Sequence, residues 1–226
     1  GAWRRMPEHE IGKIAPLCHL PVGPPQRTVA GQGGAAFRAR VRDDGVLEAG
    51  LADLDLAADL AQQQLARMDN YIWVRDVVGL ADFSMPSSEQ RFFIVNMESG
   101  DVRRYYVTHG RGSDPEHDGW LKAFSNDYGS NATSRGAYLT RNYYEGKHGL
   151  SMRLTGLEPD NNNAETRAIV VHGADYANPD LIRTMGKLGR SEGCFAFPRD
   201  NLVEVIARMG PGRMIFADRL EAPNAA

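Results

Sequence analysis

The clearest periodic pattern of apolar residues lies between Leu51 and Asp69, in the stretch LADLDLAADLAQQQLARMD. Leucine and alanine recur there at spacings of three and four residues, which is the repeat of one helix face. Alanine, leucine and glutamine also favour helix. The pattern therefore predicts an N-terminal helix over residues 51–69, with Asn70 ending it.

Beyond this helix, short apolar runs alternate with polar turns. RFFIVNM and VRRYYVTHG flank the turn ESGD, and this arrangement predicts a β-hairpin. GAYLTRNYYEG, SMRLTGL, RAIVVHG and RMIFADR predict further strands. Two short helices are predicted, ANPDLIRTMGKLG with Asn178 as its cap and DNLVEVIARMG with Gly210 as its stop. We expect a mainly β domain with helical insertions, without internal repeats and without βαβ alternation.

Residues 1–48 differ from the rest of the chain in composition. APLCHLPVGPPQ holds four prolines and AGQGGAAF holds three glycines. Proline disfavours helix at its own position and at the residue before it. This segment predicts an extended arm, which is either a flexible leader or a strap that shapes access to a site. Residues 49–226 are expected to form a single domain.

Composition and charge exclude several classes of protein. The 226 residues suffice for one sizeable domain, and 42% hydrophobic with 24% charged residues is ordinary for a globular protein. A net charge of −3 and the lack of a basic stripe argue against a dedicated nucleic-acid binder. No run of 18 apolar residues predicts a membrane span. The start GAWRRMPEHE is typical of a trimmed chain, so we expect that an export signal was removed.

A nucleophilic cysteine and a histidine base are the strongest candidate chemistry. Cys194 lies in GRSEGCFAFP, and Cys18, the other cysteine, lies in the proline-rich segment. His172 ends the apolar run AIVV and precedes Gly173, so a strand feeding a turn would hold its ring rigidly. Cys194 follows 22 residues later, across a predicted helix. A crossover of that length brings two such residues side by side, and histidine is the usual base for a cysteine nucleophile.

The turn before Cys194 is also of a type that can position backbone amides for catalysis. Gly193 permits backbone torsions that other residues avoid, so successive amides near Cys194 can point at one oxyanion. Arg190 adds positive charge nearby, whereas Glu192 opposes a thiolate unless it points to solvent. The alternative is a core strand with a buried, inert thiol. The order of the His-Gly and Ser-x-Gly-Cys motifs favours the reactive thiol.

The other histidines are weaker candidates. His148, flanked by glycines in YYEGKHGLS, lines the same cleft or occupies a solvated turn. His109 begins a second His-Gly pair and is either structural or cleft-lining. His117 lies among acidic residues, but no second ligand cluster has matching spacing. We therefore expect no metal site.

These motifs together resemble the L,D-transpeptidases of bacterial cell-wall synthesis, the YkuD type of catalytic domain. That family carries His-Gly at a strand end, here His172-Gly173, and then Ser-His-Gly-Cys, here Ser191–Cys194. An upstream strand of the form Thr-Pro-x-Gly-x-Phe is similar to TSRGAY at residues 133–138. The resemblance covers roughly residues 91–219 and is greatest to a divergent proteobacterial branch. It implies a β-sandwich or mixed sheet with short helical insertions and an N-terminal helix.

Two departures from the family pattern bear on the substrate. Glu192 replaces the histidine between serine and glycine, and Ala196 stands where the family has arginine or asparagine. The nucleophile and the base are retained. Donor recognition is therefore expected to differ from that of the mainstream enzymes.

The resemblance implies a periplasmic peptidoglycan L,D-transpeptidase that acts on donor and acceptor peptide stems through a cysteinyl thioester. Cys194 would be the nucleophile and His172 the base. A backbone carbonyl orients the histidine in this family, and Ser191 or its neighbourhood would supply it, while Gly193 serves the oxyanion. No metal or organic cofactor is implied. We expect substrate contacts from Arg190, Tyr176, His148 and Gly173.

Several alternatives stay open at this stage. The proline-rich arm is similar to a segment in a group that makes 1,3-crosslinks, from L-Ala of one stem to diaminopimelate of another. Water in place of the acceptor amine would make the protein an L,D-carboxypeptidase or endopeptidase. An unrelated cysteine peptidase is a further class, although caspase-like enzymes sit on βαβ units and papain-like enzymes place cysteine before histidine. The last alternative is a catalytically inactive module that binds the cell wall.

Overall fold

An eight-stranded mixed sheet runs through the described part of the chain, residues 51–220 of a computed structural model. Its strand order is β3-β2-β1-β8-β4-β5-β6-β7. Neighbouring strands are antiparallel except for β1–β8 and β6–β7, which are parallel. The strands are β1 Val77–Asp82, β2 Phe92–Asn96, β3 Val102–Tyr105, β4 Gly136–Gly146, β5 Gly149–Gly156, β6 Val170–Gly173, β7 Phe195–Phe197 and β8 Met214–Asp218. The mainly β prediction is confirmed, in its mixed-sheet form.

Three α-helices accompany this sheet within residues 51–220. They are α1 Leu51–Arg67, α2 Asp180–Met185 and α3 Arg199–Met209. The predicted N-terminal helix is thus confirmed, ending two residues before Asp69. The N-cap position of α2 is Pro179, which makes no side-chain capping bond. The predicted cap, Asn178, lies one residue earlier, and its side-chain oxygen accepts a hydrogen bond from the Asp180 backbone N–H at 2.8 Å. The predicted arm over residues 1–48 lies outside the described residues.

The two faces of the sheet are covered by different helices. On one face, Val205, Ile206 and Met209 of α3 pack into a core that includes the phenylalanines of β7. On the other face, Ala58 and Leu65 of α1 pack against apolar residues of β1, β2 and β8. Because strand side chains alternate between faces, β1 to β4 and β8 supply residues to both cores, whereas β5, β6 and β7 supply only the first.

Two strands and one connection differ from the expectation. β1 and β7 were not predicted as strands. In addition, α2 connects the parallel strands β6 and β7, where no βαβ unit was expected. β1 lies between β2 and β8 and is buried along nearly its whole length, so its sequence VVGLAD shows no polar alternation. β7 has only three residues, FAF, which is too short for a periodic signal.

The β4–β5 hairpin lies next to β6 and β7 in the sheet. Its register shifts between Thr140 and Tyr143, which places a bulge at Arg141 and Asn142. The hairpin turn between Gly146 and Gly149 holds His148. Over the described range, no helix is long and apolar enough to cross a membrane.

Candidate active site

His172 lies at the end of β6 and is almost fully buried. Its Nδ1 lies 3.0 Å from the Gly173 carbonyl oxygen, so Nδ1 carries the proton and donates. Nε2 is then an acceptor, and the Tyr176 hydroxyl lies 3.4 Å from it. We predicted that Ser191 or its neighbourhood orients this ring, whereas the carbonyl that does so belongs to Gly173. The ring is held with a basic nitrogen available.

Cys194 immediately precedes β7, which pairs in parallel with β6. His172 is the register partner of Ala196, so Cys194 lies two residues earlier on the same face of the sheet. The thiol is free, and its Sγ donates weakly to the Ala168 carbonyl at 3.6 Å. The β6–α2–β7 connection therefore brings the predicted nucleophile and base to neighbouring positions on one face.

The turn between Ser191 and Cys194 is braced from within. The Ser191 hydroxyl donates to the Cys194 carbonyl at 2.7 Å and accepts from the Gly193 N–H at 3.2 Å. Gly193 has a φ of 110°, and an added Cβ would lie 2.6 Å from the Ala132 carbonyl oxygen. Both the torsion and the space require glycine at this position. In this state the Gly193 amide is thus bound to Ser191.

Burial sets the protonation state of the pair. It lowers the pKa of His172 to about 4, an effect that the hydrogen bond to Gly173 only partly offsets. Burial also raises the pKa of the Cys194 thiol, against the Val170 backbone N–H, which favours the thiolate. Near neutral pH the free protein therefore holds a neutral thiol beside a neutral imidazole.

His148 and Tyr176 both contact the His172 ring. The imidazole of His148 stacks on that of His172, with ring centres 4.2 Å apart and planes 21° from parallel. Tyr176 meets His172 edge-on, with centres 6.3 Å apart. Burial lowers the pKa of His148, and the nearby charges of Lys147 and Arg199 act in the same direction. Both side chains therefore pack against the ring of His172, the proposed base. Their contact with a substrate stays a prediction.

Arg190 and Glu192 are turned away from the thiol. The Arg190 guanidinium donates to the backbone carbonyls of Asp114 and Pro115, the latter at 3.3 Å. Glu192 is exposed and lies 3.1 Å from the guanidinium of Arg111. Glu192 therefore points to solvent, the orientation in which it least opposes a thiolate. Arg190 as a substrate contact stays a prediction.

Ala196, the second departure from the family pattern, is fully buried. It lies in a small cluster with Ala174 and Ala177, against which Tyr176 packs. A long polar side chain at this position would compete with Tyr176 for that space. The small side chain of Ala196 thus leaves the space in which Tyr176 packs and reaches His172.

Arg167 is a residue of the site that the sequence did not reveal. Its guanidinium donates to the Ala132 carbonyl at 2.5 Å and to the Ser125 carbonyl at 2.9 Å. The same guanidinium lies against the nucleophile turn, 3.2 Å from where a Cβ on Gly193 would be. In the sequence, the one available indication of this role was that Arg167 directly precedes the apolar run AIVV, which leads into β6. Arg167 ties the 125–134 loop to the turn that holds Cys194.

His109 belongs to a buried network beneath that turn. Its Nδ1 accepts from the Arg91 guanidinium at 2.8 Å, and its Nε2 donates to the Asp114 carboxylate at 3.1 Å. Its backbone carbonyl accepts from the Ser191 N–H at 2.9 Å. Burial, reinforced by the Arg91 charge, lowers the pKa of His109 to about 3, so the ring stays neutral. Of the two interpretations of His109, the structure supports the structural one.

His117 was the candidate metal ligand for which the sequence offered no second ligand cluster. Its Nε2 lies 3.0 Å from the Leu188 carbonyl oxygen, to which it donates. Across residues 51–220, no group of three or more histidine, cysteine, aspartate or glutamate side chains is arranged to hold a metal ion.

A family model described as the L,D-transpeptidase catalytic domain matches residues 54–217. The chain therefore belongs to the L,D-transpeptidase catalytic domain family. The match begins within α1, so it extends further toward the N-terminus than the 91–219 core on which the resemblance rested. A comparison with curated protein sequences finds no match.

Several solved structures are similar to the chain. An L,D-transpeptidase from Mycobacterium smegmatis has 16% identity and a TM-score of 0.40, over 63% of this chain and 58% of its own. L,D-transpeptidase 3 from Mycobacterium tuberculosis, in complex with a faropenem-derived adduct, has 15% identity and a TM-score of 0.41, over 63% and 60%. The helical cell shape determining protein Pgp2 (K307A mutant) from Campylobacter jejuni has 14% identity and a TM-score of 0.43, over 76% and 57%. The chain thus spans less than two thirds of each, and these similarities are too low to assign a substrate.

Proposed function

We propose that the protein is a peptidoglycan L,D-transpeptidase that forms cell-wall crosslinks through a thioester on Cys194. The observation that carries the proposal is the pair of adjacent parallel strands, from which Cys194 and His172 project on the same sheet face. Membership of the catalytic domain family supports the reaction class. The partners are then a donor and an acceptor peptide stem, and the reaction takes place in the periplasm.

Acylation begins from the neutral pair. Nε2 of His172 takes the proton from the Cys194 thiol as the sulfur attacks an amide carbonyl of the donor stem. The C–S bond forms, and the tetrahedral oxyanion faces the backbone amide of Cys194, joined by that of Gly193 once its hydrogen bond to Ser191 is released. When the C–N bond breaks, the protonated Nε2 gives its proton to the departing amine. A thioester and a neutral imidazole remain.

Deacylation reverses these roles. An amine of the acceptor stem, the side-chain amine of diaminopimelate, attacks the thioester carbonyl and passes its proton to Nε2 of His172. The C–S bond breaks, an amide bond forms and Cys194 recovers its proton. This chemistry uses only the thiol, the imidazole and backbone groups. Water in place of the amine would give hydrolysis instead.

Other residues position the reacting groups. Ser191 holds the turn through its bonds to Cys194 and Gly193. The Gly173 carbonyl keeps the proton on Nδ1 of His172, and the stacked ring of His148 limits rotation of the imidazole. Each of these contacts reduces the reorganisation needed when His172 becomes charged.

The test is incubation of the full chain with disaccharide-tetrapeptide muropeptides, followed by mass spectrometry of the products. Crosslinked dimers are expected from the wild type and from Cys18→Ala, and none from Cys194→Ala. Shortened monomers alone would assign hydrolysis by the same site. Unchanged substrate, in the presence of an active control enzyme, would refute the proposal.

The same products decide the type of crosslink. Fragmentation of the dimer shows whether the donor carbonyl belongs to L-Ala, the 1,3 type suggested by the proline-rich arm, or to diaminopimelate, the 3,3 type. The outcome depends on which donor residue the surface beside Cys194 accepts.

A further inference from the structure

The hydroxyl of Tyr176 lies at the reacting nitrogen of His172, and the steps above give it no role. Its oxygen is 3.4 Å from Nε2 of His172, and the two rings meet edge-on at 78°. Nδ1 of the same imidazole donates to the Gly173 carbonyl, so Nε2 is an acceptor and the hydroxyl donates to it. In the free protein, Tyr176 therefore binds the lone pair that takes the proton of Cys194.

The fold makes room for this side chain with small residues. Tyr176 lies in the 3-10 helix Asp175–Ala177 that follows β6, and it packs on a cluster that includes Ala174 and Ala196. A Cβ on Gly189 would lie 2.6 Å from the Tyr176 Cβ, and the Gly189 N–H donates to the Tyr176 carbonyl at 2.7 Å. Backbone and alanine contacts thus hold the ring, which fixes the place of the hydroxyl.

The hydroxyl lies where water has little access. His172 is only 1% exposed, so its protonated form would have little solvation by water. Burial raises the pKa of Tyr176, and negative charge on Cys194 and on Glu192 acts in the same direction. The hydroxyl therefore keeps its proton at neutral pH, and the effect of Cys194 shows that it also lies within electrostatic reach of the sulfur. Tyr176 is thus a polar group placed to replace water beside the reacting pair.

A hydroxyl can serve the base in both of its charge states, because it donates as well as accepts. While His172 is neutral, the O–H of Tyr176 donates to Nε2. Once Nε2 has taken the proton from Cys194, the hydroxyl turns about its C–O bond and its oxygen accepts from the new N–H. The Tyr176 proton stays on its oxygen throughout. Because a hydrogen bond to a charged group is the stronger one, the contact favours the imidazolium.

We propose that Tyr176 is a catalytic residue, whose hydroxyl stabilises the imidazolium of His172 during acylation and deacylation of Cys194. The inference rests on the proposed function, since it concerns the base of that reaction. It also gives a reason for Ala196. The family carries arginine or asparagine there, whereas the small side chain of this protein leaves the space beside His172 to a tyrosine.

The hydrogen bond itself is tested by ¹⁵N NMR of protein labelled at histidine. Tyr176→Phe keeps the ring that packs on the alanines and removes only the hydroxyl. We expect the Nε2 resonance of His172 to move in this variant, while the Nδ1 resonance, which reports the bond to Gly173, stays in place. Tyr143→Phe is the matched control, because the lost hydroxyl donates to the Ile206 carbonyl at 3.3 Å, and it should leave both resonances unchanged. His172→Ala identifies the signals that belong to His172.

The catalytic role is tested by the rate at which Cys194 is acylated. p-Nitrophenyl acetate transfers its acetyl group to a thiol and releases nitrophenolate, so absorbance and intact mass follow acylation without a peptide stem. In a Cys18→Ala background, Tyr176→Phe should lower this rate about tenfold, because the imidazolium loses a hydrogen bond to its charge. Tyr143→Phe should match the background, and Cys194→Ala should remove the acetylated product.

Each readout can contradict the proposal. An unmoved Nε2 resonance would show that the hydroxyl does not bind the base, and an unchanged acylation rate would show that the bond has no catalytic effect. A slower rate with both nitrogen resonances displaced would mean that the ring had shifted, which would also overturn the proposal, as would a background protein that is not acetylated. Uncrosslinked muropeptides with both expected results intact would refute the proposed function and leave Tyr176 as a catalytic residue of another acyl transfer. Thermal melts verify that the variants fold.

Discussion

The protonation state of Cys194 in the free protein is open to direct measurement. The structure indicates a neutral thiol beside a neutral His172, because burial raises the pKa of one and lowers that of the other to about 4. A thiolate–imidazolium pair would need these two shifts to be reversed. The two states differ in how the thiol reacts as the pH changes, since the thiolate is the nucleophile.

The expected magnitude follows from the direction of the shift. With the pKa of Cys194 above its ordinary value of 9.0, less than about 1% of the thiol is ionised at pH 7. The thiolate fraction then rises about tenfold for each pH unit, or about 100-fold from pH 6 to pH 8. An ion pair would be fully ionised over that whole range. The two cases therefore differ by about two orders of magnitude.

The assay is the rate of alkylation by iodoacetamide, followed by intact mass between pH 5.5 and 8.5. A Cys18→Ala background leaves Cys194 as the single reactive thiol, and the Cys18→Ala/Cys194→Ala double variant corrects for other sites. A rate that rises about tenfold per pH unit is expected. A rate independent of pH over this range would refute the neutral pair and the account of burial behind it.

Three further predictions concern neighbouring residues. Gly193→Ala should destabilise the protein by about 2 kcal/mol or more in urea unfolding, because it adds a clash with Ala132 to an unfavourable torsion. Gly129→Ala, at a φ of 79° with nothing within 4 Å, should cost only about 1 kcal/mol. Equal losses of stability in the two variants would contradict this prediction. The free energy of unfolding should fall as the pH drops from 6.5 toward 4, because the unfolded state protonates His109 and His172 while the folded state keeps them largely neutral. Each contributes up to about 1.4 kcal/mol per pH unit. His109→Gln should flatten that slope, and an unchanged slope would show that His109 titrates alike in both states. His148→Phe, which retains a stacked ring, should keep the acylation rate within a few-fold, while His148→Ala lowers it about tenfold; equal rates in the two variants would argue against a role for the stack.

The local patterns of the chain were sufficient for most of its elements. α1 and the strands β2 to β6 and β8 were predicted because each carries its own apolar repeat or lies next to a recognisable turn. The His172-Gly173 and Gly193-Cys194 motifs were also visible, since each is a short run whose chemistry depends on residue type. Strands with no polar alternation, such as β1, gave no comparable signal.

Contacts between distant segments escaped the same reasoning. Arg167 contacts carbonyls in the 125–134 loop, more than thirty residues earlier in the chain. Arg91, His109 and Asp114 meet in one buried network although nothing in their spacing indicates it. A cavity beside Cys194 likewise combines a bulge on β4, a site on β5 and the residues before β6.

The sequence by itself determined the class of fold, the family and the two residues that we propose as nucleophile and base. The tertiary structure decided how those residues are held and in what charge state. His172 takes its orienting bond from Gly173, its neutral charge from burial and its stacking partner from a hairpin that arrives from β4 and β5. Burial and strand register are properties of the whole packed sheet, so no local run of residues can encode them alone.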